Sequence, residues 1–373
     1  MKIAILSPFY PYRGGIASFS NRLYQELEET ESIEVSAFSF SLLYPSFLFP
    51  GKTQYVEGED FASSIQSERI LNSVNPFSWL STAEAINKYN PDVVIIAYWM
   101  PFVAPALGTV CHLLDNKIKI VSLIHNAIPH EKRFFDKVFA KYFFKKCDSF
   151  IVLSEPVKDD LGNLISQPKV MVTPHPIYDH YKERIDKSEA CKLLHVDADK
   201  KNLLFFGLIR DYKGLDLLIE SMSYLDDSYQ LIIAGECYGD FQKYQQLIDQ
   251  SPFKENIKVF EQYIPDDMVT TLFSAADVLV LPYRDATQSG VVAVAYQMEL
   301  PMIATNVGAL GETILSSATG IVVEVSPKAI SEGIKSYFEN GKQAYLNNVR
   351  TEKKRLSWSK FVEHLVKFNF DLD

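Results

Sequence analysis

The chain has 373 residues, 47% of them hydrophobic, which is enough material for two or three domains with cores of their own. Its formal net charge of -10 at pH 7 argues against a nucleic-acid-binding protein, which would need a basic face. The four cysteines are far apart and lack a CxxC spacing, so the sequence predicts reduced thiols in a cytosolic protein rather than a disulfide framework.

The first half of the chain alternates short apolar runs with helix-like patterns. Residues 2–7 predict a strand, and 16–28 carry apolar side chains at helical spacing. Further strands are predicted at 34–40, 92–97, 118–125, 149–154 and 169–173, and helices at 77–89 and 131–146. Strands that alternate with helices imply a parallel sheet covered on both faces. We therefore expect one Rossmann-like domain here.

The uncharged stretch 93–111 is nearly long enough to cross a bilayer. Pro101, Pro105 and Gly108 divide it into a strand-like part and a helical part, which favours a soluble protein.

Apart from a short helical pattern around 191–194, the composition is polar over 176–201, as expected for a connection between domains. Strand-like runs then recur at 203–206, 230–234, 257–260, 278–282, 302–305 and 320–323, with helical patterns between them. The segment 358–368 is an amphipathic helix that needs a surface to cover. We predict one domain over 1–180, completed by the C-terminal helix 358–373, and a second domain over 181–357.

The loop between the predicted strand 203–206 and the following helix carries two cations. Gly207 ends the strand, and Arg210 and Lys213 follow three residues apart. Doubly wound sheets bind ligands beyond the carboxyl ends of their strands, so this loop predicts an anion site.

Four segments together resemble glycosyltransferase family 4, which has the GT-B fold. They are RGGIASFSNRL at 13–23, HNAIPHEK at 125–132, FFGLIRDYKGLDLLIE at 205–220, and AADVLVLPYRDATQSGVV followed by LPMIATNVGALGETI between 275 and 314. The resemblance extends over nearly the whole chain. It implies two Rossmann-like doubly wound parallel-sheet domains facing across a cleft, with the acceptor side at 1–180 and the nucleotide-sugar donor side at 181–357. It also implies retaining transfer of a hexose from a nucleotide-diphosphate sugar.

Arg210 and Lys213 are the predicted catalytic cations, because negative charge grows on the diphosphate as the donor sugar leaves. Arginine offers a planar fork to phosphate oxygens and lysine a point charge. The resemblance gives the matching residues this role. The alternative is a pair of solvated cations that form ion pairs with Asp211 or Asp216.

Thr287, Gln288, Ser289 and Gly290 precede a helical run, so their N–H groups are predicted at a helix N-terminus that faces an anion. Ordinary capping by Ser289 or Thr287 is the alternative. With two cations at the site and no cluster of metal-ligand spacing, we expect neither a metal nor another cofactor.

Gly14 and Gly15 lie between the first strand and the first helix, where the backbone approaches a ligand closely. The resemblance places them beside the diphosphate and the acceptor, and the alternative is a tight turn. His125 ends a strand before Asn126, and in the family a histidine at this position contacts the donor sugar. The alternative for His125 is a structural role.

The chain departs from the family at two positions. Most members have two glutamates eight residues apart, one near the donor sugar and one on the ribose, and alignment through Pro301 puts Ala286 and Val294 there. Neither side chain accepts a hydrogen bond from a hydroxyl. Asp285 is the candidate substitute, and Gly207 completes the set of predicted donor-binding residues.

Three functions are compatible with these residues. The first is a glycosyltransferase that uses a UDP- or GDP-linked sugar and a saccharide or lipid-linked acceptor, in cell-surface polysaccharide biosynthesis. The second is a non-catalytic nucleotide-binding subunit with the GT-B fold, which the missing glutamates favour. The third is another nucleotide-sugar enzyme such as an epimerase. Transfer to an acceptor would distinguish the first from the other two.

The predicted helix 131–146 has a basic stripe formed by Arg133, Lys137, Lys141 and Lys145. Aromatic and aliphatic residues form the neighbouring face, as on a surface that rests on anionic lipid. We expect a cytoplasmic protein with peripheral contact at the inner face of the membrane. The alternative is an ordinary crossover helix whose stripe is solvated.

Overall fold

The computed structural model describes residues 1–45, 53–56, 62, 64–128, 135–286 and 289–370. The chain divides into two compact units, which we call unit 1 (Met1–His175 with Trp358–Asp373) and unit 2 (Pro176–Ser357). The predicted boundary lay at residue 180. Ile177 and Tyr178 are instead buried in the core of unit 2, where each is at most 7% exposed.

Unit 1 is a parallel sheet with helices on both faces. Its described strands are β1 (Lys2–Leu6), β2 (Glu34–Leu42), β3 (Ser67–Asn72), β4 (Val93–Tyr98), β5 (Lys119–Ile124), β6 (Ser149–Val152) and β7 (Val170–Val172). Its described helices are α1 (Gly15–Glu29), α2 (Pro76–Tyr89), α3 (Ala104–Leu113), α4 (Asp136–Phe144), α5 (Glu155–Gly162) and, at the end of the chain, α14 (Trp358–Phe370). The strand order is β3-β2-β1-β4-β5-β6-β7.

The sheet of unit 1 is buried on both faces because β1, β4 and β5 are apolar throughout or nearly so. Helices α2, α3 and α4 cover one face. The other face is covered by α1 and α14, and Trp358, Phe361, Val362 and Leu365 of α14 are buried there. The amphipathic pattern predicted for the C-terminal helix is therefore confirmed.

Unit 2 repeats this architecture. Its described strands are β8 (Lys201–Phe206), β9 (Tyr229–Ala234), β10 (Ile257–Phe260), β11 (Val278–Leu281), β12 (Met302–Thr305) and β13 (Gly320–Val323). Its described helices are α6 (Lys187–Leu194), α7 (Leu215–Ser221), α8 (Gln242–Gln250), α9 (Asp266–Ala275), α10 (Gly290–Gln297), α11 (Gly308–Ser317), α12 (Pro327–Asn340) and α13 (Gln343–Arg355). The strand order is β10-β9-β8-β11-β12-β13, with parallel pairing throughout the described strands. The prediction of two doubly wound parallel-sheet domains is confirmed.

Two local predictions were wrong. The segment 176–201 is not a simple connection, because α6 packs on α9 and buries Ala190, Cys191 and Leu194 in the core of unit 2. The helix predicted at 131–146 begins at Asp136, and residues 129–134, including Arg133, lie outside the described residues. Within α4, Val138 is 66% exposed.

Candidate active site

The loop from Gly207 to Gly214 connects β8 to α7 at the carboxyl edge of the sheet in unit 2. Gly207 has a φ of 103° and ends β8, and Gly214 has a φ of 64° directly before α7. Between them, Ile209 pairs with the chain after β9: its N–H donates to the carbonyl of Glu236 at 2.9 Å. A backbone hydrogen bond therefore joins the loop that carries the two predicted cations to the segment that follows β9.

Lys213 is a buried cation. It is 8% exposed, its Nζ lies 5.4 Å from the ring centroid of Tyr283, and a Cβ added to Gly207 would lie 3.2 Å from that Nζ. Burial lowers the pKa of Lys213 below its ordinary value, and the charge of Arg210 adds to this effect. Among the described residues, no carboxylate forms an ion pair with Lys213. A buried ammonium without a counter-charge is unfavourable, so this position is suited to an anionic ligand.

Arg210 lies beside Lys213, with its guanidinium carbon 5.0 Å from the ring centroid of Tyr238. The two aspartates that could have neutralised these cations have other partners. The carboxylate of Asp211 accepts from Lys243, and that of Asp216 pairs with Arg284 at 2.5 Å. The alternative in which Arg210 and Lys213 pair with Asp211 or Asp216 is therefore wrong.

Arg284 stabilises the Gly207–Gly214 loop through backbone and side-chain hydrogen bonds. Its backbone N–H donates to the carbonyl of Tyr212 at 2.7 Å, and its guanidinium donates to the carbonyl of Asp211 at 3.1 Å. The same guanidinium forms a bidentate pair with Asp216 in the first turn of α7, at 2.7 and 2.5 Å. These bonds fix the backbone on both sides of Lys213.

The N-terminus of α10 lies close to Lys213. A Cβ added to Gly207 would contact both Lys213 Nζ and Cγ2 of Val291, at 3.2 and 3.3 Å. The side chain of Ser289 forms no capping hydrogen bond to the described part of the helix, whereas Thr287, the other capping candidate, lies outside the described residues. The Oγ of Ser289 instead shares a hydrogen bond of 3.3 Å with the hydroxyl of Tyr283. Among the described residues, no side chain caps the first N–H groups of α10, which suits this helix end to an anion.

The structure describes only some of the other residues that were predicted to bind the donor near α10. Gly290 is the first residue of the helix, and Asp285 is exposed. Thr287 and Gln288 lie outside the described residues. Ala286 and Val294, which stand where the family has glutamates, are 2% and 4% exposed in the apolar core of unit 2. These two side chains stabilise the core and offer no polar group.

In unit 1, Gly14 and Gly15 lie where β1 leads into α1. Gly14 has a φ of 102°, which only glycine adopts readily, and no atom lies within 4 Å of a Cβ added there. Both glycines are exposed. The positive φ supports the tight-turn alternative, and the open space also leaves room for a ligand.

His125 follows β5 and is 4% exposed, with the ring of Phe19 edge-on at 5.0 Å. Burial lowers the pKa of His125 to about 3, and nearby His175 adds to the shift. The ring is therefore a neutral imidazole at physiological pH, which can donate or accept a hydrogen bond but carries no charge. Asn126 is half-buried beside it.

The described ranges offer neither a metal site nor a membrane-spanning helix. Within them, no group of three or more His, Cys, Asp or Glu side chains is placed to hold a metal ion. No helix among these residues has the length and apolar character required to cross a bilayer.

The sequence analysis missed Tyr283 and Arg284. Both follow β11 directly, at the carboxyl edge of the sheet where doubly wound folds bind ligands. That position is the signal that could have identified them.

Comparisons with known proteins agree with this arrangement. The family model described as Glycosyltransferase Family 4 matches residues 13–180, and that described as Glycosyl transferases group 1 matches 200–340. An uncharacterized glycosyltransferase of Methanocaldococcus jannaschii is 26% identical over 97% of this chain and 96% of its own. The lipopolysaccharide core biosynthesis mannosyltransferase LpsB of Rhizobium meliloti is 27% identical over 38% of this chain and 42% of its own.

Among solved structures, Anabaena HepE in complex with UDP-glucose superposes with a TM-score of 0.77, at 14% identity and with full coverage of both chains. This likeness concerns the fold. The two family models together match most of the chain, one in each unit. The chain therefore belongs to glycosyltransferase family 4 and has the GT-B fold.

Proposed function

We propose that the protein is a retaining, metal-independent hexosyltransferase acting in cell-surface polysaccharide biosynthesis. The donor is a UDP- or GDP-linked sugar and the acceptor a saccharide or lipid-linked saccharide. The observation that carries the proposal is the buried ammonium of Lys213, which lies next to Gly207 and the first turn of α10 without a carboxylate partner among the described residues. A diphosphate leaving group supplies the negative charge that this position lacks.

The relatives support both the donor class and the pathway. The Anabaena protein was solved with UDP-glucose, and the Rhizobium meliloti protein is named for lipopolysaccharide core biosynthesis. The retaining stereochemistry rests on the resemblance to family 4.

A nucleotide-binding subunit is the competing proposal, because Ala286 and Val294 are buried apolar side chains where the family has glutamates. Two measurements distinguish the transferase from the nucleotide-binding subunit. The first is calorimetric titration with UDP, GDP and ADP, and the second is an assay of nucleotide release from UDP-glucose, GDP-mannose and ADP-glucose with saccharide acceptors. Binding with transfer supports the transferase. Binding without turnover favours the subunit, and no binding of any nucleotide contradicts both.

We expect activity to need no divalent cation. Arg210, Lys213 and the first N–H groups of α10 together offset the charge of the leaving diphosphate, which is the role a metal plays in other transferases. Transfer rates measured with and without excess EDTA should agree within about twofold. An activity that EDTA abolishes and that magnesium or manganese restores would contradict this.

We also propose that the protein works in the cytoplasm and contacts the inner face of the membrane through α4. Lys137, Lys141 and Lys145 are exposed, and Val138 and Tyr142 beside them are 66% and 39% exposed. Exposed lysines with aromatic and aliphatic side chains between them suit a surface of anionic lipid.

Changing Lys137, Lys141 and Lys145 to Glu should abolish sedimentation with phosphatidylglycerol vesicles at low salt, because it reverses the charge of the stripe. Binding of the wild type should fall as salt rises, since screening shortens the reach of exposed charges. A variant with Lys192, Lys254 and Lys335, three exposed lysines of unit 2, changed to Glu has the same net charge and is the control. If the two variants sediment equally with the vesicles, the lysines of α4 do not bind the membrane, and the helix serves only to pack on unit 1.

A further inference from the structure

Arg69 lies on β3 at the carboxyl edge of the sheet in unit 1. Arg69 pairs with Ser39 of β2. The last residue of β1, Leu6, pairs with Phe38, so Arg69 lies one residue beyond the carboxyl end of β1. Its guanidinium carbon is 5.4 Å from the ring centroid of Tyr12 and 5.7 Å from that of Tyr55. One cation therefore lies on two aromatic rings at the edge where this fold binds ligands.

The two tyrosines are themselves fixed. Tyr12 and Tyr55 form an antiparallel bridge, and their ring centroids are 5.1 Å apart. The neighbouring backbone adds two hydrogen bonds, from Val56 N–H to the carbonyl of Pro11 at 2.8 Å and from Arg13 N–H to the carbonyl of Gln54 at 3.0 Å. Tyr12 is 2% exposed, and burial raises its pKa to about 12. It is therefore a neutral phenol and does not neutralise Arg69.

The guanidinium of Arg69 is positioned by a hydrogen bond but has no carboxylate counter-ion among the described residues. Its Nε donates to the carbonyl of Phe40 at 3.3 Å, which fixes one side of the group. Among the described residues, no carboxylate forms an ion pair with Arg69. Glu68 is the adjacent residue, and because side chains alternate along a strand it belongs to the opposite face of the sheet. Arg69 also lies within reach of the Tyr12 hydroxyl, but its exposed guanidinium has five N–H donors, more than Phe40 and Tyr12 together can accept from, so part of the fork is left for a ligand.

We propose that Arg69, with Tyr12 and Tyr55, binds an acidic group on the acceptor saccharide. This inference rests on the proposed transferase function and names a class of acceptor for it. A planar guanidinium pairs with two oxygens of a carboxylate or phosphate at once, and a cation already held on aromatic rings loses little further freedom on binding. Tyr55, which is 37% exposed, offers an aromatic surface to the rest of the ligand.

The oxyanion has two chemical sources, a uronic acid carboxylate or a sugar phosphate, and the experiment separates them. Glucuronic acid, glucose 1-phosphate and neutral glucose are titrated into the wild-type protein, with binding followed by ligand-observed NMR. The wild type should bind one or both acidic sugars more tightly than glucose. Preference for one of the two acids identifies the source.

Arg69→Ala should weaken binding of the acidic sugar by about tenfold to a hundredfold, the usual value of a charge-assisted hydrogen bond. Binding of glucose and of the nucleotide should stay within about twofold, since the proposed contact of Arg69 is with the acidic group of the acceptor alone. Arg69→Lys should recover part of the loss because it keeps the charge without the fork. Glu68→Ala, on the same strand, is the matched control.

Two results would overturn the proposal: equal binding of acidic and neutral sugars by the wild type, including no binding of either, or an equal loss of sugar and nucleotide binding in Arg69→Ala. A wild-type protein that binds acidic sugars through Arg69 but binds no nucleotide would refute the transferase function and leave the site standing.

Discussion

Replacing Lys213 with alanine is expected to lower kcat by a factor on the order of a hundred or more, because the variant loses a charge that acts on the leaving diphosphate. Arg210→Ala should have an effect of the same order. Both changes should preserve the fold. Arg210 is partly exposed, and Lys213 is a buried ammonium with no carboxylate partner among the described residues, so its removal relieves a desolvation cost. The measurement is kcat and KM with the donor identified by the nucleotide screen.

The matched control is Lys254→Ala, which removes an exposed lysine of unit 2 that forms no ion pair among the described residues and should therefore leave kcat unchanged. A near-normal kcat/KM in both Lys213→Ala and Arg210→Ala would show that the diphosphate lies elsewhere.

The lowered pKa of Lys213 adds a dependence on pH. Anion binding needs the protonated form, so nucleotide affinity should fall as pH rises through a value below the ordinary range of lysine. Over the window between that lowered pKa and the unfolded pKa, the unfolded state binds more protons, and the contribution of Lys213 to the free energy of unfolding rises with pH. Lys213→Arg stays charged and should remove the loss of affinity in that window. An identical pH profile in the two proteins would mean that Lys213 does not contact the nucleotide.

The local elements of unit 2 could be predicted well because their signal is local. The strands at 257–260, 302–305 and 320–323 match the prediction at both ends, since each is a short apolar run between polar or helix-forming residues. The edge strand β3 was missed because its sequence, SERILN, is mostly polar. A half-exposed edge strand carries a weaker signal than a buried one.

The candidate site could be predicted only in part, because its decisive features join distant residues. The sequence identified Arg210 and Lys213, but Asp211 is paired by a residue 32 positions away and Asp216 by one 68 positions away. No local pattern predicts such partners. The absence of a described carboxylate partner for Lys213, which distinguishes a ligand site from a surface ion pair, became visible only once the fold had assigned both aspartates.

Gly214→Ala is expected to lower the free energy of unfolding by roughly 2–4 kcal/mol, from left-handed strain and a steric clash together. Gly214 has a φ of 64°, and a Cβ there would lie 2.0 Å from the carbonyl oxygen of Pro282, far inside contact distance. The clashing atom belongs to the backbone that leads from β11 into Tyr283, so either that segment or the loop must shift. Urea unfolding followed by far-UV circular dichroism measures the loss.

Two glycine controls separate the causes. Gly341 has a φ of 79° with a ψ of 146°, a region that is strained for a residue with a side chain, but no described atom lies within 4 Å of a Cβ added there, so Gly341→Ala should show only backbone strain, about 1–3 kcal/mol. Gly162→Ala has neither feature and should be nearly neutral. Because Gly214 adjoins Lys213, its variant should also lose catalytic rate under conditions where it is still folded, whereas the other two should not. A Gly214→Ala protein no less stable than Gly341→Ala, with normal kcat, would show that the loop tolerates displacement and that close packing against Pro282 does not set the position of Lys213.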